Sequence, residues 1–304
     1  MGLALFYRGR GSEALEHLRA SLACYRPGDF QLVTFGVGHD QAIFAHAISS
    51  WALWWVGRPD AALAEIRDAV ADAERLGSFL SLAMARHFLA LAHQLRREHD
   101  AALHQAQLNV AFAHELGFQF WEGIALLTAG TERTHLGDVE GLRDVERGLG
   151  LLSQAGSRSG TTSGLGTLAE AHHAAGNTDA ALATVDAALR LSRELGQPYW
   201  DAELMRLKAE FLIALDPAAA GDTEALLRDA VADATGRGAG GLALRSSIAL
   251  GRHLAERDSA GEARVLVATA LESIEGGEDT AEVLAARGLI DRLPAVHLET
   301  KELR

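Results

Sequence analysis

The chain has 304 residues, a formal charge of −13 and 48% apolar residues, and arginine carries almost all of its positive charge, joined only by Lys208 and Lys301. That acidic balance speaks against a nucleic-acid-binding surface, which needs clustered Lys and Arg. One cysteine, Cys24, excludes an intramolecular disulfide and points to a reducing, cytoplasmic compartment; no apolar run reaches the roughly 18 residues of a membrane span.

The start, MGLALFYRGRG, has too short an apolar stretch for a secretion signal. Only eight residues precede Gly9, so Leu3, Leu5 and Phe6 are expected on an uncovered edge. Such an edge implies either a longer parent chain or a contact with another subunit, a homo-oligomer included. From there the chain is punctuated by Gly77, Gly117, Gly156, Gly196, Gly236 and Gly276, at spacings of 40, 39, 40, 40 and 40 residues. AERLG, AHELG, SQAG and SRELG read as helix ends closed by a left-handed C′ glycine. A period this regular predicts stacked copies of one supersecondary unit.

A second ladder lies half a repeat away: Gly57, then Arg97 in the glycine slot, Gly137 and Gly176. The texts are GRPDAAL (57–63), REHDAAL (97–103), GDVEGL (137–142) and GNTDAAL (176–182), with GRGSEAL (9–15) in the same series. Asp60, Asp100 and Asp179 fall in the first turn of the second helix, where a carboxylate meets free N–H groups and the positive dipole end. The second helices carry apolar residues at steps of three and four, as in Leu63, Ile66 and Val70. The turn at 137–142 is one residue short, which accounts for the single 39-residue step.

The later units are less regular. A helix over 198–214 runs into a turn enlarged around Pro217 and Gly221, and RDAVADA (228–234) repeats residues 67–73 letter for letter. GRGAGG (236–241) reads as a flexible joint before a last pair near 242–256 and 260–274. A helix at about 280–293 would cap the array, as terminal repeats require, with residues 294–304 as a polar tail. The expected fold is all-α: a single right-handed superhelical solenoid over 1–293, with about seven helix-turn-helix repeats of some 40 residues and a capping helix.

Chemistry-bearing motifs are few. The thirteen histidines include no HExxH, and neither His87 with His93 nor His99 with His104 has clamp spacing; His39, Asp40 and His46 are the closest approach to a metal set. GTTSGLGTLAE (160–170) is glycine-rich and opens a helix, yet it lacks the lysine and the preceding strand of a phosphate loop. No elbow frames a serine nucleophile. The residues imply neither an enzyme nor a cofactor or metal.

The GxxxxAL turn, the paired helices and the small residues resemble the tetratricopeptide pattern, with six residues added to its usual 34. More specifically, YRPGD (25–29), FGVGHD (35–40), WALWWVGRPDAAL (51–63), SLAMARHFLALAHQLRRE (81–98) and EGGEDTAEVLAARGLIDRL (275–293) resemble the tetratricopeptide region of large bacterial signalling proteins. In those proteins a class III adenylate/guanylate cyclase or a LuxR-type DNA-binding domain accompanies an AAA/STAND-type ATPase. The chain has no GxxxxGK[ST] loop and no cyclase carboxylate motif. The resemblance therefore implies a non-enzymatic regulatory or protein-interaction module, with an upstream cyclase or ATPase domain as its effector.

The resemblance also places the first helix of each pair on a concave surface. Counting back three and six residues from each turn gives Trp54 and Trp51, Gln94 and Leu91, Thr134 and Thr131, then His173 and Glu170. These eight form a candidate groove with an aromatic and a polar end, suited to a protein, a peptide or a flat small molecule. Two other readings stand beside it. One is a small-molecule sensor or enzyme, marked by a closed apolar pocket with clustered ionisable groups near Asp40 and His87. The other is a self-assembling scaffold using the Leu3–Phe6 edge.

Overall fold

A computed structural model of the chain describes residues 1–26, 38–155, 160–216, 220–257 and 259–294. Gly156, Pro217, parts of YRPGD and FGVGHD, and the tail from 295 onward lie outside the described residues. Within them the chain is all helix and turn, fifteen α-helices forming seven antiparallel pairs and a cap. The pairs are α1 (Gly2–Tyr7) with α2 (Gly11–Cys24), α3 (Gln41–Trp55) with α4 (Pro59–Leu76), α5 (Phe79–Leu95) with α6 (His99–Glu115), and α7 (Gln119–His135) with α8 (Gly141–Gln154). Then follow α9 (Thr161–Ala174) with α10 (Thr178–Leu195), α11 (Asp201–Leu215) with α12 (Ala220–Arg237), and α13 (Gly240–Ala255) with α14 (Ala260–Glu272); α15 (Ala281–Arg292) is the cap.

The turn inside each of four successive pairs, from α3–α4 to α9–α10, has one geometry. Gly57, Arg97, Gly137 and Gly176 all have positive φ, and the next residue donates its N–H to a carbonyl near the helix end: Arg58 to Leu53, Glu98 to His93, Asp138 to Arg133 and Asn177 to His172, at 2.8 to 3.0 Å. This is the glycine-centred helix stop that satisfies the last free carbonyls. Arg97, at φ 59°, is the sole non-glycine residue with positive φ among the described residues. Of the first ladder, Gly77, Gly117, Gly196 and Gly276 take left-handed values, but Gly236 does not. It lies inside α12, and Gly238 at φ 70° makes the turn instead. The expected joint at 236–241 thus shrinks to Gly238 and Ala239 between two helices, and Gly221 belongs to α12 rather than to a turn.

The first helices α3, α5, α7 and α13 are buried along most of their length, while the second helices bury one face. The closest pairing is α7 on α8, where Gly123 faces Gly148 and Gly130 faces Gly141, backbone against backbone. A Cβ on Gly148 would come within 2.5 Å of the Gly123 carbonyl oxygen.

The array also bends back on itself. Glu275 N–H donates to Gly57 O at 2.8 Å, Gly277 N–H to the Asp60 carboxylate at 2.7 Å, and Arg245 to Leu95 O at 2.6 Å. α13 approaches the end of α3 so closely that a Cβ on Gly241 would lie 2.7 Å from Trp54 O. The second repeat is therefore joined to the seventh and to the loop before the cap.

The N-terminal edge is not the uncovered surface expected from the sequence. Phe6 is fully buried and Leu5 nearly so, because the 3-10 turn Pro198–Trp200 reaches across to them. The Phe6 ring lies 4.8 Å from Trp51 and 5.4 Å from Tyr199, and the Trp55 indole N–H donates to Tyr199 O at 2.8 Å. Of the three residues expected on that edge, Leu5 and Phe6 are thus covered, while Leu3 stays part-exposed on the cavity wall. The cause of that burial, Tyr199, lies 193 positions downstream of Phe6, beyond the reach of local pattern.

Candidate functional site

Inside the bend lies a cavity of about 610 Å³, walled chiefly by α3, α5, α7 and α9. One rule recurs in its lining. Counted back from the left-handed turn residue, positions six, nine and thirteen recur: Trp51, Ile48 and Phe44 on α3; Leu91, Phe88 and Met84 on α5; Thr128 and Ile124 on α7; Glu170, Thr167 and Ser163 on α9. Steps of three and four make these one stripe per helix. Phe120, Trp121 and Trp200 complete an aromatic wall, while Gly160 and Gly164 keep the α9 side low.

His87 faces this wall beside Phe88 and Trp121, at ring distances of 5.0 and 6.0 Å. Burial pushes its pKa down to about 3, so the imidazole is neutral at physiological pH. Its Nδ1 is buried with no hydrogen-bond partner, as is the indole nitrogen of Trp51.

The other end of the cavity is ionic. Arg97 reaches Glu170 at 3.2 Å, Glu282 at 3.6 Å and Glu203 at 3.9 Å. Arg245 pairs with Glu282 at 2.8 Å and Glu203 at 3.2 Å, with its guanidinium 4.6 Å over the Trp54 ring. Arg206 pairs with Glu203 at 2.8 Å. Burial alone would raise the pKa of Glu203, but Arg206, Arg245 and Arg97 outweigh it and hold the carboxyl well below its ordinary range. Glu170 is likewise raised by burial and lowered further by Arg97. Arginine suits such a junction because its planar fork serves several carboxylates at once.

No family model matches the chain. Over 207 residues it is 28% identical to the uncharacterized protein R02095 of Rhizobium meliloti (strain 1021), a match covering 67% of this chain and 20% of that protein. The chain thus spans about a fifth of the curated relative it matches. The solved structure of the apo form of RapI superposes with a TM-score of 0.57 at 13% identity, covering 90% of this chain and 94% of that one. Yeast Tom70 gives a TM-score of 0.48 at 15% identity over 91% of this chain and 60% of that one. The fold is a helical repeat of the tetratricopeptide type.

Of the eight groove residues read from the sequence, Trp51, Leu91, Gln94 and Glu170 stand on the cavity wall. The other four do not. Trp54 is buried against α13 and Trp200. Thr131 and Thr134 are buried in α7, with Thr134 donating to Thr131 O. His173 packs on Phe211 at 4.7 Å and contacts Thr178. Counting by three and six sampled only the last two turns of each helix and missed Phe88, Trp121 and His87 further along the same face. Asp40 is taken up as the N-cap of α3, accepting from Ala42 and Ile43 N–H, and its other oxygen accepts from Tyr25. His39 stacks on Phe44, while His46 turns to Glu65 at 2.7 Å. Among the described residues no three His, Cys, Asp or Glu converge as metal ligands, and no helix is long and apolar enough to cross a membrane.

Proposed function

We propose that the chain is the recognition scaffold of a bacterial signalling regulator, non-catalytic and cytoplasmic, which takes a partner or ligand into the interior of its helical bend. The cavity carries this reading. It has the size of small-molecule and side-chain pockets, roughly 300–1,000 Å³; α3, α5 and α9 present the same three stripe positions to it and α7 two of them. The resemblance of residues 25–29, 35–40, 51–63, 81–98 and 275–293 to the tetratricopeptide region of bacterial signalling proteins supplies the effector side of this reading, a cyclase or ATPase domain. An enzyme on this scaffold is disfavoured by His87, whose neutral, unpartnered imidazole is a poor general base.

The test is selection of binders from a displayed peptide library on the folded chain, with hydrogen exchange to map them. Binders that protect α3, α5 and α7 and are blocked by Leu91→Trp support interior recognition. Binders that protect only α4, α6 and α8 and ignore Leu91→Trp overturn it.

A further inference from the structure

We propose that the interior cavity binds an uncharged, largely apolar small molecule that carries a hydrogen-bond acceptor oxygen, such as an acyl ester. This rests on the interior-recognition reading and narrows it to a ligand class. Three observations select that class.

The first is the wall. Phe44, Trp51, Phe88, Trp121 and Trp200 present rings from different parts of the chain to one space of about 610 Å³, which favours an apolar body. The second is charge. Arg97 and Arg245 lie on the lining, but each is already held by two or three carboxylates, and Glu170 is held by Arg97. An anionic head group would have to break these pairs and leave buried carboxylates uncompensated, while a cation would have to compete with Arg97 for Glu170. The third is His87. Its ring borders the cavity among aromatic neighbours, Nδ1 is buried without a partner, and the neutral ring's one proton is assigned to Nε2 as its donor. A neutral donor in an apolar wall recognises a carbonyl or ester oxygen and rejects a molecule without one, because polar groups left unpaired are costly.

The experiment uses the full chain and N-phenyl-1-naphthylamine, an uncharged apolar fluorophore, displaced in turn by methyl decanoate and by decanoate at slightly alkaline pH. The expected result is saturable 1:1 probe binding, with the ester displacing it at a concentration about tenfold or more below that of the carboxylate. His87→Phe should weaken the ester about five- to tenfold more than it weakens the probe, since the probe has no acceptor oxygen. Leu91→Trp should abolish probe binding. Gly164→Leu is a second filling variant whose first added carbon has room, lying 3.8 Å from Leu127, so loss of binding can be read in a chain whose helicity and unfolding midpoint are retained. Equal or tighter displacement by decanoate overturns the proposal, as does probe binding indifferent to both filling variants. Peptides that map to the interior while these uncharged molecules fail to bind would remove the ligand class and leave the scaffold reading standing. Failure of both would remove both.

Discussion

The carboxylate of Asp60 accepts the backbone N–H of Gly277 through one oxygen and Arg96 through the other, each at 2.7 Å. A residue placed to serve a helix start thereby clips the second repeat to the loop before the cap. Arg96 extends the clip to Asp279 at 3.0 Å, and Arg58 pairs with Glu275 beside it.

The clip has an acid limit. The Gly277 hydrogen bond and the Arg96 pair hold Asp60 below its ordinary pKa. A carboxyl depressed in the folded state adds stability above its unfolded value of about 3.9 and loses it as pH falls through the folded value. Thermal unfolding of Asp60→Asn should fall below wild type at neutral pH and coincide with it in strong acid. The carboxylate is half exposed, so the difference is under about 1 kcal/mol. The sharper measurement is exchange of the Gly277 amide, which should speed up in the variant.

Arg97 tests strain against charge. Its left-handed backbone costs about 1–2 kcal/mol, which Arg97→Gly would relieve. The same change leaves Glu170 and Glu203 short of a cation in a buried site, a loss of about 3–5 kcal/mol. Denaturant titration should therefore show a net loss near neutral pH despite the restored glycine. The loss should shrink as acid protonates the carboxylates.

The α7–α8 contact predicts opposite outcomes for two glycines on one helix. Gly148→Ala sets a methyl against the Gly123 backbone and should cost about 1–3 kcal/mol. Gly150 has nothing within 4 Å of its added carbon, and Gly150→Ala should gain about 0.5–1 kcal/mol from helix propensity. Unfolding midpoints of the two single variants decide it.

Most rungs of the two glycine ladders, though not Gly236, could be read from the sequence because each turn is a local event: one left-handed residue closes one helix end. The stripe on each first helix was legible in part, and Trp51, Leu91, Gln94 and Glu170 were reached by counting. Trp54 was not separable from Trp51 by any local rule, because the difference is made by Gly241, whose missing side chain lets α13 close over one tryptophan and not the other. The burial of Phe6 by Tyr199 and the pairing of Arg96 with Asp279 are of the same kind. Each depends on curvature accumulated over several repeats, which no single repeat encodes.

His87 supplies the last prediction. Burial depresses its pKa to about 3, against about 6.5 in the unfolded chain. Between these values the unfolded state binds the extra proton, so stability rises with pH across the window and falls as the solution is acidified. For one such group the steepest slope is about 1.4 kcal/mol per pH unit. His87→Phe removes that proton and an unpartnered buried nitrogen while keeping a ring among Phe88 and Trp121. The variant should unfold within about 1 kcal/mol of wild type near neutral pH, where both rings are uncharged. It should then gain on wild type steadily as pH drops below about 6, by the proton it no longer takes up. Urea midpoints of the two chains at several pH values measure the difference, in which the remaining titrating groups cancel. Parallel curves, or an imidazole signal for His87 that titrates near pH 6.5 by NMR, would place the ring in water and not in the cavity wall.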